Sequence, residues 1–331
     1  MRGQIFLARA RFDTGLAVSW LAKGRLEDST RCRADTSFAK VPLLRVDSQT
    51  MRRAGSSSGP NGGPAGGPNG RIEAWVNGLQ ARGRYTFRRS EAAKVLGRGD
   101  VALTKVLGRL VRKRRIVSPR RGFYVIVPAE FSLRGTPPAD WFIDDLMRFV
   151  GHRYYVGLLT AAALHGAAHQ QPQQFQVVVD APLRPVRVGN LNVVFMKKEG
   201  VERCPVQRVN TSTGTMAIST PEVTAFDLVK YAAKAGQLSN VATVLAELAE
   251  KIDPEQLVSV AEDTGVEMSV VQRLGYLLDE VEMSESATSL ASWVAMRSPR
   301  WVQLRPGRSA TEAPTADRWR VRVNADVEPD L

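Results

Sequence analysis

Between residues 102 and 126 the chain reads ALTKVLGRLVRKRRIVSPRRGFYVI, with eight Lys and Arg and no Asp or Glu. Such side chains suit phosphate chemistry: Arg offers a planar fork of donors that matches a phosphate or a guanine edge, and Lys a point charge. Their spacing says more than their number. Lys105, Arg109 and Arg112 alternate with Leu103, Val106, Leu107 and Leu110 so that, on a helix, cations take one face and leucines and valines the other. Gly108 on the cationic side lets the backbone approach a ligand closely. Arg120 and Arg121 fall in a turn between two β-branched and aromatic runs, the pattern of a basic hairpin tip.

Other residues are candidates for different chemistry. His165 and His169 stand at i, i+4, a spacing that can place two imidazoles on one metal ion. No HExxH pattern accompanies them and Asp180 is the nearest carboxylate, so they read as residues that pack or cap a helix end. Asp144 and Asp145 are adjacent and point apart on a helix, which gives no general acid–base pair. Asp227, within TAFDLV, reads as a buried carboxylate with its hydrogen bonds satisfied. There is no G-x-S-x-G elbow, and GNLN and GRGD lack the lysine and spacing of a phosphate-cradling loop. Cys32 and Cys204 are too few for a disulfide framework or a zinc site, which suggests a reducing, cytoplasmic setting. No catalytic residue, metal or cofactor is assigned.

The elements that must carry the cations follow from charge and periodicity. Residues 1–70 hold a net charge of +6, residues 71–128 +12 and residues 129–331 −5, which together make the +13 of the 331-residue chain. A strongly positive module beside a mildly negative one points to a polyanion for the first alone. GSSSGPNGGPAGGPNG, residues 55–70, cannot bury enough surface to order itself, so residues 1–70 are expected to be a disordered extension and linker, with Met51 as a plausible true start. Ile72, Trp75, Val76 and Leu79 predict a first helix ending at Gly83; a second spans about Ser90 to Leu96; a third runs from about Val101 to Lys113 with Asp100 as N-cap.

Helix, helix, tight turn, helix and basic-tipped hairpin is the layout of a winged helix-turn-helix over residues 71–128. Such a module docks its third helix in the major groove and steadies it with the wing, so Lys105, Arg109, Arg112, Arg120 and Arg121 are the candidate double-stranded DNA contacts. Single-stranded RNA fits this module less well, because Phe123 and Tyr124 read as hairpin core and leave no stacking platform. From residue 129 the chain reads as an α+β domain. Helices are expected over PPADWFIDDLMRFV and YYVGLLTAAALHGAA, strands over FQVVV, RPVRV, LNVVFMKK and PVQRVN, and helices again from STPEVTAFDLVKYAAK onward, at about 241–251, 254–263 and 268–281. The carboxyl-terminal RWVQLRPG and DRWRVRVNADVE form an extended pair. The apolar stretch YYVGLLTAAALHGAA is too short to span a bilayer.

YTFRRSEAAKVLG, ALTKVLGRLVRKRRIVSPRRGFYVIVP, YYVGLLTAAALHGAAHQQPQQFQVVV, ISTPEVTAFDLVKY and RWRVRVNADVEPD together resemble the AbiEi family of antitoxins from type IV toxin–antitoxin, abortive-infection systems. The resemblance covers residues 71–331, is most specific over 85–231, and leaves residues 1–70 outside it. It implies a winged domain that represses its own operon at inverted repeats, and a larger mixed α/β domain that opposes a nucleotidyltransferase-like toxin in phage defence without a tight complex. It transfers DNA contact to Lys105, Arg109, Arg112, Arg120 and Arg121, and a region rather than any single residue for the antitoxin activity. The alternatives are a stand-alone winged-helix regulator with no toxin partner, and a metal-dependent nucleic-acid enzyme using His165 and His169.

Overall fold

A computed structural model describes residues 68–97, 100–167 and 172–330. Residues 1–67 of the expected extension, with its Met51 start and Cys32, and His169 lie outside the described residues. Helix α1 (Pro68–Ala81) begins three residues before the expected onset of order and buries Ile72, Val76 and Leu79, an i, i+4, i+7 stripe. Strand β1 (Thr86–Arg88) leads directly into α2 (Arg89–Leu96), where the Arg88 N–H donates to the Glu91 carboxylate at 2.6 Å and Gly97 closes the last turn in the left-handed region. Helix α3 (Asp100–Arg112) takes in Asp100 as its first residue, where the carboxylate complements the helix dipole. Strands β2 (Ile116–Arg120) and β3 (Phe123–Ile126) follow, and the sheet order is β1-β3-β2, all antiparallel.

The second region is mixed α+β. A short 3-10 turn (Ala139–Trp141) precedes α4 (Ile143–Val150). Strand β4 (Tyr154–Val156), α5 (Leu158–Leu164), β5 (Phe175–Val179), β6 (Val186–Val188), β7 (Leu191–Lys197), β8 (Val206–Thr211) and β9 (Gly214–Ser219) come next. The last five helices are α6 (Pro221–Lys230), α7 (Gln237–Ala249), α8 (Pro254–Asp263), α9 (Met268–Glu280) and α10 (Thr288–Arg297). Three short strands, β10 (Val302–Gln303), β11 (Thr315–Ala316) and β12 (Val321–Arg322), finish the chain.

Strands β4 to β9 make one six-stranded sheet in the order β6-β7-β5-β4-β9-β8, parallel at β5–β7 and β4–β9 and antiparallel elsewhere. Tyr155, Val178 and Ala217 enter the core beneath α5 to α10, with Phe226, Leu245 and Leu274. Val156, Val177, Val193 and Ile218 point to the other side and meet α4. That second core has a further wall. In β3 alternate residues separate, Phe123 and Val125 joining α4 and the large sheet while Ile126 joins Ile72, Phe87 and Leu107 among the first three helices. The small sheet is thus shared by both regions.

Three expectations need correction. YYV is strand β4 rather than the start of a helix, because Tyr155 and Val156 are buried on opposite sides of the sheet before the chain turns at Gly157. Strand β9 and helix α10 had no counterpart in the sequence reading. The carboxyl-terminal extended pair is three strands, with β12 between β10 and β11. It packs on α9 where Gly275 leaves room for the Trp319 ring: a Cβ there would lie 2.2 Å from the indole. Trp319 Nε1 then donates to Asp279 Oδ2 at 2.6 Å.

Candidate nucleic-acid interface

The amphipathic spacing of α3 becomes a real division of surfaces. Leu103, Val106, Leu107 and Leu110 are 1–6% exposed, while Lys105, Gly108, Arg109 and Arg112 face solvent. All three carboxylates between residues 71 and 128 are engaged inside the module. Glu73 pairs with Lys113 at 2.9 Å, Glu91 with Arg84 at 2.5 Å and Asp100 with Arg89 at 2.6 Å. Lys113 beside Glu73 holds that carboxyl below the usual carboxylate range. Arg89 also reaches the Thr104 hydroxyl at 2.7 Å, and Arg115 donates to Asn77 Oδ1 at 2.7 Å. These cations tie α3 and the strand after it to α1 and α2. Among the described residues Lys105, Arg109, Arg112 and Arg121 have no carboxylate partner, so the positive field of the cationic face is uncompensated locally.

The hairpin tip is Arg121–Gly122, with Gly122 at φ +86, the positive φ that a type II turn puts on its second central residue and that favours Gly there. The register shifts between Val117 and Arg120, and the Ser118 hydroxyl donates within this bulge to the Arg120 and Phe123 carbonyls at 2.9 and 3.0 Å. Arg121 is exposed at the tip. Arg120 is placed differently: it is half-buried, its Nη2 donates to the Arg184 carbonyl, and its guanidinium lies 5.7 Å from the Phe195 ring centroid. Burial and the neighbouring Arg184 charge push its pKa down. Of the five sequence-derived residues, three therefore share one helix face, Arg121 crowns the hairpin, and Arg120 clasps the larger sheet.

Several titratable groups of the second region are engaged with one another. Asp227 is fully buried and holds Lys198 Nζ at 2.7 Å and the Tyr155 hydroxyl at 2.7 Å. Asp144 accepts from Tyr154 at 2.7 Å and pairs with Arg148 at 2.6 Å and Arg208 at 3.2 Å, while Asp145 accepts from the Thr86 hydroxyl of β1 at 2.5 Å. Arg148 also reaches Asp145 at 3.0 Å, so the two adjacent carboxylates share one cation although they serve different elements. His165 Nε2 is 2.7 Å from the Ser219 carbonyl, and no group of three or more His, Cys, Asp and Glu suited to a metal ion is present among the described residues. Sequence reading found Asp227 but not Lys198 or Tyr155, which come from 29 and 72 residues away. The signal available was the pairing rule for a buried charge, which demands a partner without naming it. No helix of the described residues is long and apolar enough to cross a membrane.

Among proteins of curated function, none matches the chain. Among solved structures, the crystal structure of the RV2827C protein from Mycobacterium tuberculosis is similar, with a TM-score of 0.56 and 17% identity over 77% of this chain and 90% of that one, a likeness of fold. The family model of the AbiEi antitoxin C-terminal domain matches residues 155–280, from the middle of β4 through α9. Over residues 155–280 the resemblance drawn from the sequence is thereby shown, and that part of the chain matches an AbiEi antitoxin C-terminal domain.

Proposed function

We propose that this chain is a DNA-binding autorepressor and antitoxin of a type IV toxin–antitoxin system. In this reading residues 71–128 are a winged helix-turn-helix: α3 enters the major groove of an inverted-repeat operator upstream of the chain's own operon, and the hairpin reaches the adjacent backbone. Lys105, Arg109 and Arg112 contact phosphates or guanine edges, and Arg121 the phosphates beside the wing. Arg120 contributes by seating the wing on the larger sheet. The second region opposes a nucleotidyltransferase-like toxin in the cytoplasm, without catalysis of its own and without a tight complex with the toxin, as part of phage defence. The observation that carries the reading is the cationic face of α3, exposed and unpaired above four buried leucines and valines, in a module whose own carboxylates are all engaged.

The test is operator binding by the full chain and by Arg109→Ala/Arg112→Ala, titrated against salt. Each lost phosphate contact lowers the slope of log K against log salt by about 0.9, so the double variant is expected to bind more weakly with a slope shallower by nearly two. Unchanged affinity and slope would mean the duplex lies elsewhere. Co-expression with the product of the adjacent gene, scored by growth, tests the antitoxin half. Growth arrest that the chain does not relieve would leave it a regulator alone.

A further inference from the structure

Residues 297–322 carry seven Arg against one Glu and one Asp, inside a region whose overall charge is negative. Two of these arginines are neutralised, Arg297 by Glu262 at 3.0 Å and Arg318 by Asp279 at 2.7 Å. Arg300, Arg305, Arg308 and Arg322 are exposed and make no ion pair among the described residues. In the same stretch Trp301 is 42% exposed and, unlike Trp293 and Trp319, has no arginine stacked on it among the described residues. The backbone on either side of it is tied down. The Pro299 carbonyl before it accepts from Arg320 at 2.8 Å, the Arg300 carbonyl from Gln272 at 2.9 Å, and the Gln303 carbonyl after it from Arg273 Nε at 2.8 Å. Trp301, Arg273 and Arg322 line one open cavity of about 430 Å³, together with Pro306 and Gly307.

We infer that this surface binds single-stranded nucleic acid, with a base stacked on Trp301 and the flanking phosphates on Arg322, Arg305 and Arg308. An exposed indole on an anchored segment rich in unpaired guanidiniums combines the two parts such a site needs, an aromatic platform and a cationic track. Duplex fits it poorly, because bases paired inside a helix offer no face to stack. The site is separate from α3 and does not depend on the duplex-binding reading. Apart from Arg273, its residues lie beyond those matched by the antitoxin family model.

The experiment uses the full chain and a 5′-labelled single-stranded RNA 12-mer of mixed sequence, followed by anisotropy across a salt series. Trp301→Ala should weaken binding by between about five- and a hundredfold, the range seen for loss of one stacked base, and Trp301→Phe should retain most of it. Arg322→Ala should lower the salt slope by about 0.7, the value for one single-strand phosphate. A circular dichroism spectrum and unfolding midpoint of the Trp301 variants equal to the parent's serve as the folding control. Strand binding lost in Arg109→Ala/Arg112→Ala and intact in Trp301→Ala would place the strand on α3 and overturn the proposal. Competition by a mononucleotide with the affinity of the 12-mer would also overturn it, since the site would then hold a free nucleotide rather than a strand.

Discussion

At the scale of single residues, the buried trio Tyr155, Lys198 and Asp227 has the largest energetic consequences. Lys198 and Asp227 are 6% and 0% exposed, and such a pair adds little over an apolar replacement, yet removing one partner strands the other charge at a cost of about 3–5 kcal/mol. Asp227→Ala is therefore expected to lose most of that amount in urea unfolding, and Asp227→Leu/Lys198→Met clearly less; equal losses would mean that packing rather than charge is at stake. The same trio sets an alkaline limit. Burial first, and then the Asp227 carboxylate, raises the Tyr155 hydroxyl well above the ordinary tyrosine value of 10.0. The unfolded chain releases that proton at a lower pH than the folded one, so the stabilisation is whole below pH 10 and falls as pH rises further. Tyr155→Phe is expected to be less stable at neutral pH but to show a flatter fall in unfolding midpoint between about pH 9 and 11. A slope identical to that of the parent would mean Tyr155 does not titrate on unfolding. Asp227 was legible as a buried carboxylate from TAFDLV, whereas its partners were not, because nothing local in a sequence links residue 227 to residues 155 and 198.

Elements were legible to the extent that one face of each is wet. Helices α1, α2, α3, α8 and α9 show their buried stripe in the sequence, and α6 adds Thr220, whose hydroxyl caps the helix, followed by Pro221 in the first turn. Strand β9 could not be read this way: its last four residues, Met216 to Ser219, are all buried, so no alternation survives. Helix α10 buries only Leu290, Trp293 and Val294 amid Ala and Ser, too narrow a stripe to register. Strand β4 is three residues long and runs into α5 after one glycine, and a single apolar run conceals the change of structure. The docking of the carboxyl-terminal strands rests on a feature equally silent in sequence, the close approach of Trp319 to Gly275. Gly275→Ala should force that indole off α9 and cost about 1–3 kcal/mol. Because Trp319 anchors the strands that hold Trp301, the substitution is also expected to weaken single-strand binding while leaving operator affinity intact. Undisturbed stability would show that the ring has somewhere else to go.

For the whole molecule, the charge contrast between residues 71–128 and the rest suggests two modules, and so did the sequence reading, but the core does not divide there. Phe123 and Val125 of the small sheet are 2% and 0% exposed because α4 and the large sheet cover them. Tyr85 meets Trp141 edge-on at 4.8 Å, Phe123 meets Phe149 at 5.3 Å, and Thr86 bonds Asp145. Cutting the chain at residue 128 would expose Phe142, Ile143, Leu146 and Val186 on one side and Phe123 and Val125 on the other, an apolar patch no soluble monomer leaves open without consequence. Residues 129–331 alone are therefore expected to aggregate or bind an apolar dye, and to relieve a toxin poorly. The full chain bearing Arg109→Ala/Arg112→Ala and expressed from an unrelated promoter should still relieve it, since that variant removes operator contact and keeps the shared wall. Growth and solubility of the two, measured side by side, separate transcriptional control from antitoxin action. A fragment 129–331 that is monomeric, dye-free and as stable as the parent would show that the common core is dispensable, and the two regions would then have to be treated as independent bodies joined at Pro128.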